Sequence, residues 1–79
     1  MGKAEERFRE ARELYREAQI ELGKWSEPQE DEIRFLKEEL EEALLDLKQA
    51  VIDLNVDDAE RYMKEVHVLN AELRSRGEE

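Results

Sequence analysis

The chain has 79 residues, with 23 acidic and 13 basic side chains, a formal charge of −10 and no cysteine. This length predicts one small domain, residues 1–79, and excludes a multidomain enzyme. The lack of cysteine excludes a disulfide framework, a cysteine zinc site and a thiol nucleophile. Ala, Glu, Lys, Leu and Arg make up 48 of the 79 residues and threonine is absent, a composition typical of long helices.

Charge and hydropathy also bear on partners and location. A net negative chain repels phosphate backbones and anionic lipid heads, and no localised basic face is evident in the sequence. No apolar stretch approaches the roughly 20 residues of a membrane span, and residues 1–6 lack the apolar segment of a signal peptide. We therefore expect a soluble protein of cytoplasmic type that binds neither nucleic acid nor membranes.

The first segment predicts an amphipathic helix over residues 3–22. Its apolar residues recur in alternating steps of four and three, which places them on one helix face. They are Ala4, Phe8, Ala11, Tyr15, Ala18 and Leu22. Gly23 follows directly and is predicted to end the helix in the left-handed conformation.

A second helix is predicted over residues 27–54. Ser26 and Gln29 have the spacing of a capping box, and Pro28 lies in the first turn, where its missing N–H costs nothing. The core-facing residues span an arc of about 120°, the width expected for packing against two neighbours. They are Ile33, Leu36, Leu40, Ala43, Leu44, Leu47, Ala50, Val51 and Leu54. Asn55 is predicted to be the left-handed residue that ends this helix.

The third helix is predicted over residues 58–75. Asp57 and Glu60 resemble a cap at its start, and a link of about three residues makes it antiparallel to the second helix. Asn70 lies on its apolar face, which also contains Ala59, Tyr62, Met63, Val66, Leu69 and Leu73. The three elements predict an all-α, up-down-up three-helix bundle, with a flatter, repeat-like stack of the same helices as the alternative.

The sequence also contains an internal repeat. A shift of 32 residues aligns Ala11, Tyr15, Arg16, Ala18 and Ile20 with Ala43, Leu47, Lys48, Ala50 and Ile52. This spacing resembles the second helix of a tetratricopeptide repeat, and residues 52–60 resemble that family's turn between repeats. The resemblance covers about a third of the chain and implies stacked helix pairs with a peptide-binding groove. No ligand-contacting residue of the family is carried over.

A second resemblance concerns the whole chain. Caps at the junctions, Gly and Pro confined to element ends and Glu-rich helix surfaces resemble a computationally designed helical protein, including one assembled from natural helical fragments. That resemblance implies a structural scaffold whose role is to fold, without enzymatic activity, cofactor or natural partner. A non-catalytic scaffold is therefore the leading functional prediction.

Exposed apolar residues on the second helix give the alternative function. Leu45 and Ile52, seven residues apart, lie together on the side opposite the predicted core, and Phe35 flanks the same helix. Single exposed apolar residues need no partner. A stripe of them, however, predicts a protein-binding module or a weak homodimer that uses the exposed face of helix 2.

No catalytic, cofactor-binding or metal-binding residue is predicted. His67 lacks an acid at the spacing of a helical metal motif and is interpreted as a partly buried spacer. The carboxylates within residues 38–42 are interpreted as a solvated face. Asn70 is expected to fix the helix register at the core edge. Trp25 is expected to cover the end of the core beside Gly23, with a role as a partner anchor as the alternative.

Overall fold

The computed structural model describes residues 2–25 and 30–77, which form three helices and no strand. They are α1 (Lys3–Gly23), α2 (Asp31–Ile52) and α3 (Val56–Gly77). The predicted all-α class is confirmed, but α2 is shorter than predicted, because Glu30 has an extended backbone with ψ 153°. The capping box predicted at Ser26 and Gln29, with Pro28 between them, lies outside the described residues.

Two ion pairs between helices define the up-down-up topology. Arg7, near the start of α1, lies 3.2 Å from Glu60, near the start of α3. Arg76, near the end of α3, pairs with Glu32 at the start of α2. Helices α1 and α3 are therefore parallel, and α2 is antiparallel to both. Since each helix contacts both others, the molecule is a closed bundle of 43 × 19 × 16 Å and not a flatter stack.

The core forms one cluster that follows the three apolar stripes. Its most fully buried large side chains are Leu40, Leu47, Val66 and Leu73. The predicted stripes are confirmed with one exception, Leu54, which is 72% exposed. Two buried residues of α1 were not predicted, Leu14 and Glu21. The buried face of α1 is therefore wider than the predicted stripe of alternating four- and three-residue steps.

The link between α2 and α3 explains why the prediction for Leu54 was wrong. The N–H of Asn55 donates to the carbonyl oxygen of Ala50 at 2.9 Å, and the N–H of Leu54 donates to that of Val51 at 3.1 Å. This pair of bonds is the Schellman motif, whose left-handed position falls on Leu54, with φ 56°. The left-handed residue is therefore Leu54 and not Asn55.

Asn55 has a different role from the predicted one, because its side chain caps α3. Its Oδ1 accepts a hydrogen bond from the backbone N–H of Asp58 at 3.1 Å. Its amide nitrogen donates to the Asp58 carboxylate at 3.0 Å. Helix α3 therefore begins at Val56, and the cap predicted at Asp57 and Glu60 is wrong. One asparagine completes the end of α2 through its backbone and the start of α3 through its side chain.

The end of α1 also differs from the prediction. Gly23 is helical, and none of the glycines in the described ranges has a positive φ. Instead, the N–H groups of Lys24 and Trp25 donate to the carbonyl oxygens of Glu21 and Leu22, each at 3.1 Å. These bonds span three residues and tighten the last turn, which satisfies the terminal carbonyls without a left-handed residue.

Trp25 packs against the core at the end of the bundle, which confirms its predicted role as a cover. A Cβ atom at Gly77 would lie 3.4 Å from the indole ring, so the ring contacts the end of α3. The Lys37 ammonium donates to the carbonyl oxygen of Trp25 and thereby connects α2 to the end of α1.

Truncation of the core is expected to be costly. Leu47 is 1% exposed, so Leu47→Ala should lower the free energy of unfolding by about 2–5 kcal/mol, as the transfer and cavity costs add. Leu45→Ala is the matched control at an exposed position of the same helix and should change it by less than about 0.5 kcal/mol. Urea denaturation followed by circular dichroism measures both. Equal losses in the two variants would contradict the burial described above.

Leu54, in its left-handed conformation, gives a prediction of increased stability. Leu54→Gly should raise the free energy of unfolding by about 1 kcal/mol, because glycine adopts a positive φ without strain and little apolar surface is lost. The same replacement at Leu45, inside α2, should lower it by about 0.7–1 kcal/mol through helix propensity. Urea midpoints of the two variants provide the measurement. A destabilising Leu54→Gly would mean that the leucine side chain contributes more than its conformation costs.

Candidate docking groove between the first and second helices

The structure separates the three predicted interface residues into two groups. Leu45, Ile52 and Phe35 are exposed, at 65%, 61% and 59%. A helix rotates by about 100° per residue, which places Leu45 and Ile52 within about 20° of each other and Phe35 about 80° further round α2. Leu45 and Ile52 each line a cleft between α2 and α1, and Phe35 lines neither.

The first cleft, of about 480 Å³, lies between the middle of α1 and the last turns of α2. The apolar part of its lining, called its floor, consists of Ala11, Leu47, Val51 and the ring of Tyr15. Its full lining is Ala11, Arg12, Tyr15, Arg16, Gln19, Leu47, Lys48, Val51 and Ile52.

The second cleft continues the first toward the end of α1. It also measures about 480 Å³, and it is lined by Tyr15, Gln19, Leu22, Gly23, Glu41, Leu44 and Leu45. Tyr15 and Gln19 belong to both linings, so the two clefts adjoin, and together they are called the α1–α2 groove. From Ala11 to Gly23 the groove follows about 18 Å of α1 at 1.5 Å per residue.

The groove exists because the seam between α1 and α2 is the least closely packed of the three. Helix α3 packs more extensively against each of its neighbours than α1 and α2 pack against one another. The half-buried side chains of Tyr15, Leu22 and Val51 lie at the α1–α2 seam.

The charged residues that line the first cleft are all basic. Arg12 and Arg16 of α1 and Lys48 of α2 line it, and no acidic residue does. Within residues 2–25 and 30–77 none of these three cations forms an ion pair. The second cleft contains one acid, Glu41. No basic face was evident from the sequence, because the three cations are divided between two helices.

The internal repeat was the signal that could have located this cleft. The 32-residue shift pairs Arg16 with Lys48 and Tyr15 with Leu47, and all four line the first cleft. Helices α1 and α2 are antiparallel, so only the corresponding residues near the middle of the seam, such as these two pairs, lie close together.

A polar cluster that the sequence did not predict lies where the end of α1 meets the end of α3. Glu21 is 4% exposed, and its carboxylate lies 3.2 Å from the ammonium of Lys24. These two residues border a cleft with Trp25, Arg74 and Gly77. A buried carboxylate requires a partner, so we interpret the Glu21–Lys24 pair as a structural contact at the end of α1.

The remaining candidates have simple outcomes. His67 is exposed, so the prediction of a partly buried spacer is wrong. Asn70 is 5% exposed, which confirms its place on the buried face of α3. In the part of the chain that the structure describes, no three His, Asp or Glu side chains are grouped so that they could hold a metal ion. Nor does any described helix combine the length and apolar character needed to cross a membrane.

Comparison with known proteins gives no match to a protein-family model, to a curated protein or to a solved structure. What the groove does is therefore inferred from its own residues.

Asn70 provides a test of the polar site in the core. Its Oδ1 is buried and accepts no hydrogen bond from the described residues. Asn70→Leu should therefore raise the free energy of unfolding by about 1 kcal/mol, because an unsatisfied acceptor is replaced by an apolar group of similar size. Asn70→Asp should lower it by more than about 2 kcal/mol at neutral pH, because a buried charge then lacks a partner. Thermal and urea unfolding measure both variants, and a destabilising Asn70→Leu would show that the amide is satisfied.

Proposed function

We propose that this chain is a helix-binding module, a three-helix scaffold that docks an α-helix of another protein in the α1–α2 groove. The observation that carries this proposal is the pair of adjoining clefts along the α1–α2 seam, which the exposed residues Ile52 and Leu45 line. An apolar groove between helices is the surface on which amphipathic helices dock in known recognition modes. The proposal develops the alternative function predicted from the sequence and replaces Phe35 with the residues of the groove.

The dimensions of the groove fit a short helix. About 18 Å corresponds to a helix of about 12 residues, or three turns, which presents apolar residues at i, i+3 or i+4, and i+7 to one side. Leu45 and Ile52 are each more than half exposed. If a partner covered the exposed part of both side chains, their burial would contribute on the order of 2–4 kcal/mol to the free energy of binding. A docked helix would also cover the accessible edge of Tyr15. Association itself costs about 4 kcal/mol or more, so the other residues of the groove must supply the rest of the binding free energy.

A structural scaffold of designed origin, without enzymatic activity or cofactor, is the second candidate. The observation that favours it is the α2–α3 junction, where a Schellman motif and the Asn55 cap join two helices through three residues. The short connection and the Asn55 cap are those of idealised proteins, and the leucine at the left-handed position is a departure from them. In both candidates we propose a soluble protein of cytoplasmic type, and the two candidates differ in whether the groove binds a partner.

The two functions can be separated with a displayed library of helical peptides. The library keeps leucines at i, i+3, i+4 and i+7, randomises the other positions, and is selected on the immobilised protein. Recovered peptides are then measured by fluorescence anisotropy against the wild type and against the variant with Leu45→Glu and Ile52→Glu. We expect the double variant to weaken binding by more than about tenfold, because two charges enter the apolar edge of the groove.

Val68→Glu is the matched control, since it places a charge at an exposed apolar residue of α3. This control should bind the recovered peptides as the wild type does, and circular dichroism should show the same helicity in all three proteins. Failure to recover any helix, or binding that survives in the double variant, would overturn the binding proposal and leave the scaffold. Sedimentation equilibrium of the free protein identifies a homodimer, which would occupy the same face.

A further inference from the structure

We infer that the helix that docks in the α1–α2 groove is acidic, with its carboxylates over the first cleft. This inference rests on the proposed function, since it names the partner of the same site. Arg12, Arg16 and Lys48 line that cleft beside an apolar floor. The chain as a whole has a charge of −10. The charged residues that line this cleft are all basic, so the charge of the cleft is opposite in sign to the net charge of the chain.

The cations of the first cleft form no ion pair in the described ranges, and the same is true of Lys3, Arg9, Arg61, Lys64 and Arg74. By contrast, Arg7 pairs with Glu10 and Glu60, each at 3.2 Å. Arg76 and Lys24 likewise form ion pairs. What distinguishes the cleft is that three cations without an ion pair line one cavity.

The apolar floor strengthens this preference. A docked helix removes water from the cleft, and the attraction between opposite charges increases as the local dielectric falls. Guanidinium groups, such as those of Arg12 and Arg16, form bidentate hydrogen bonds with carboxylates. A basic helix would instead bring like charges together in the same partly dehydrated space, which is unfavourable. The charge of the cleft therefore selects against basic helices as well as in favour of acidic ones.

The opposite end of the groove adds an expected order of charge. Glu41 lines the second cleft together with Leu44 and Leu45, and no cation lines that cleft. Carboxylates near Glu41 would be repelled, so the acidic residues of the partner should be concentrated at the end of the helix that lies over Arg12 and Lys48. The end over Glu41 should be uncharged or basic.

The same charges disfavour a second copy of this chain as the occupant. Two molecules joined groove to groove would each contribute three cations and one acid, so two surfaces of the same net sign would meet. Docking of the acidic outer face of α2 into the groove of another copy would be a head-to-tail contact, which generates open chains unless it closes into a ring. A separate acidic helix meets neither difficulty.

The experiment compares three forms of one peptide recovered in the library selection, with its flanking positions over the first cleft set to Glu, Gln or Lys. Dissociation constants are measured by fluorescence anisotropy at about 20 mM and about 500 mM salt, where screening differs strongly. We expect the Glu form to bind about tenfold more tightly than the Lys form at low salt, and the difference to shrink at high salt.

Charge reversal in the protein assigns the effect to the groove. The variant with Arg12→Glu and Lys48→Glu should reverse the order, so that the Lys form binds more tightly than the Glu form. Arg61→Glu, at an exposed position of α3, is the control and should keep the wild-type order. Circular dichroism checks that all variants remain helical.

The outcomes separate this inference from the proposed function. If helices bind in the groove but the Glu, Gln and Lys forms have equal affinity, the acidic partner is wrong and the docking groove stands. If the selection recovers no helix at all, both proposals fail. If sedimentation equilibrium shows a dimer that Leu45→Glu with Ile52→Glu dissociates, a second copy occupies the groove and the acidic partner is again wrong.

Discussion

The constraint on which the structure depends is that three amphipathic helices must cover one another's apolar stripes in a chain of 79 residues. Helix α3 meets this constraint best, because it packs closely against both α1 and α2. The α1–α2 seam is left with Tyr15 and Val51 half-buried, and the groove opens there. The candidate site is thus the part of the apolar surface that the bundle does not cover.

Periodicity predicted most of the fold because burial acts on whole helix faces. A stripe such as Leu36, Leu40 and Leu47 has one low-energy place in a bundle, so its sequence is sufficient to locate it. The prediction for Leu54 was wrong because the periodic pattern continues through the junction, whereas the chain leaves the helix there. Two residue types compete at that junction: Asn55 suits both a left-handed position and an N-cap, and its side chain is used for the cap.

The groove was less predictable than the helices because it is a property of two helices together. The exposure of Leu45 and Ile52 follows from their angle on α2 and was predicted correctly. One cleft is lined by Tyr15, Arg16 and Lys48 because of the way α1 and α2 pack. A local sequence pattern does not predict that packing. The 32-residue repeat held part of this information, but reading it requires knowing that α1 and α2 are antiparallel neighbours.

Several features depart from what stability alone would favour, and their positions bear on the two proposed functions. Leu54 in a left-handed conformation and the unsatisfied Oδ1 of Asn70 are costs that neither function explains. Leu45 and Ile52 are different, because each lines one of the two adjoining clefts of the groove: Ile52 the cleft with three cations, and Leu45 the cleft with Glu41. A sequence selected only to fold could place polar residues at these positions without loss, since neither side chain is buried. Their position along one groove supports the docking proposal, whereas Ile20, Phe35 and Val68 are as exposed and line neither cleft, as folding alone tolerates.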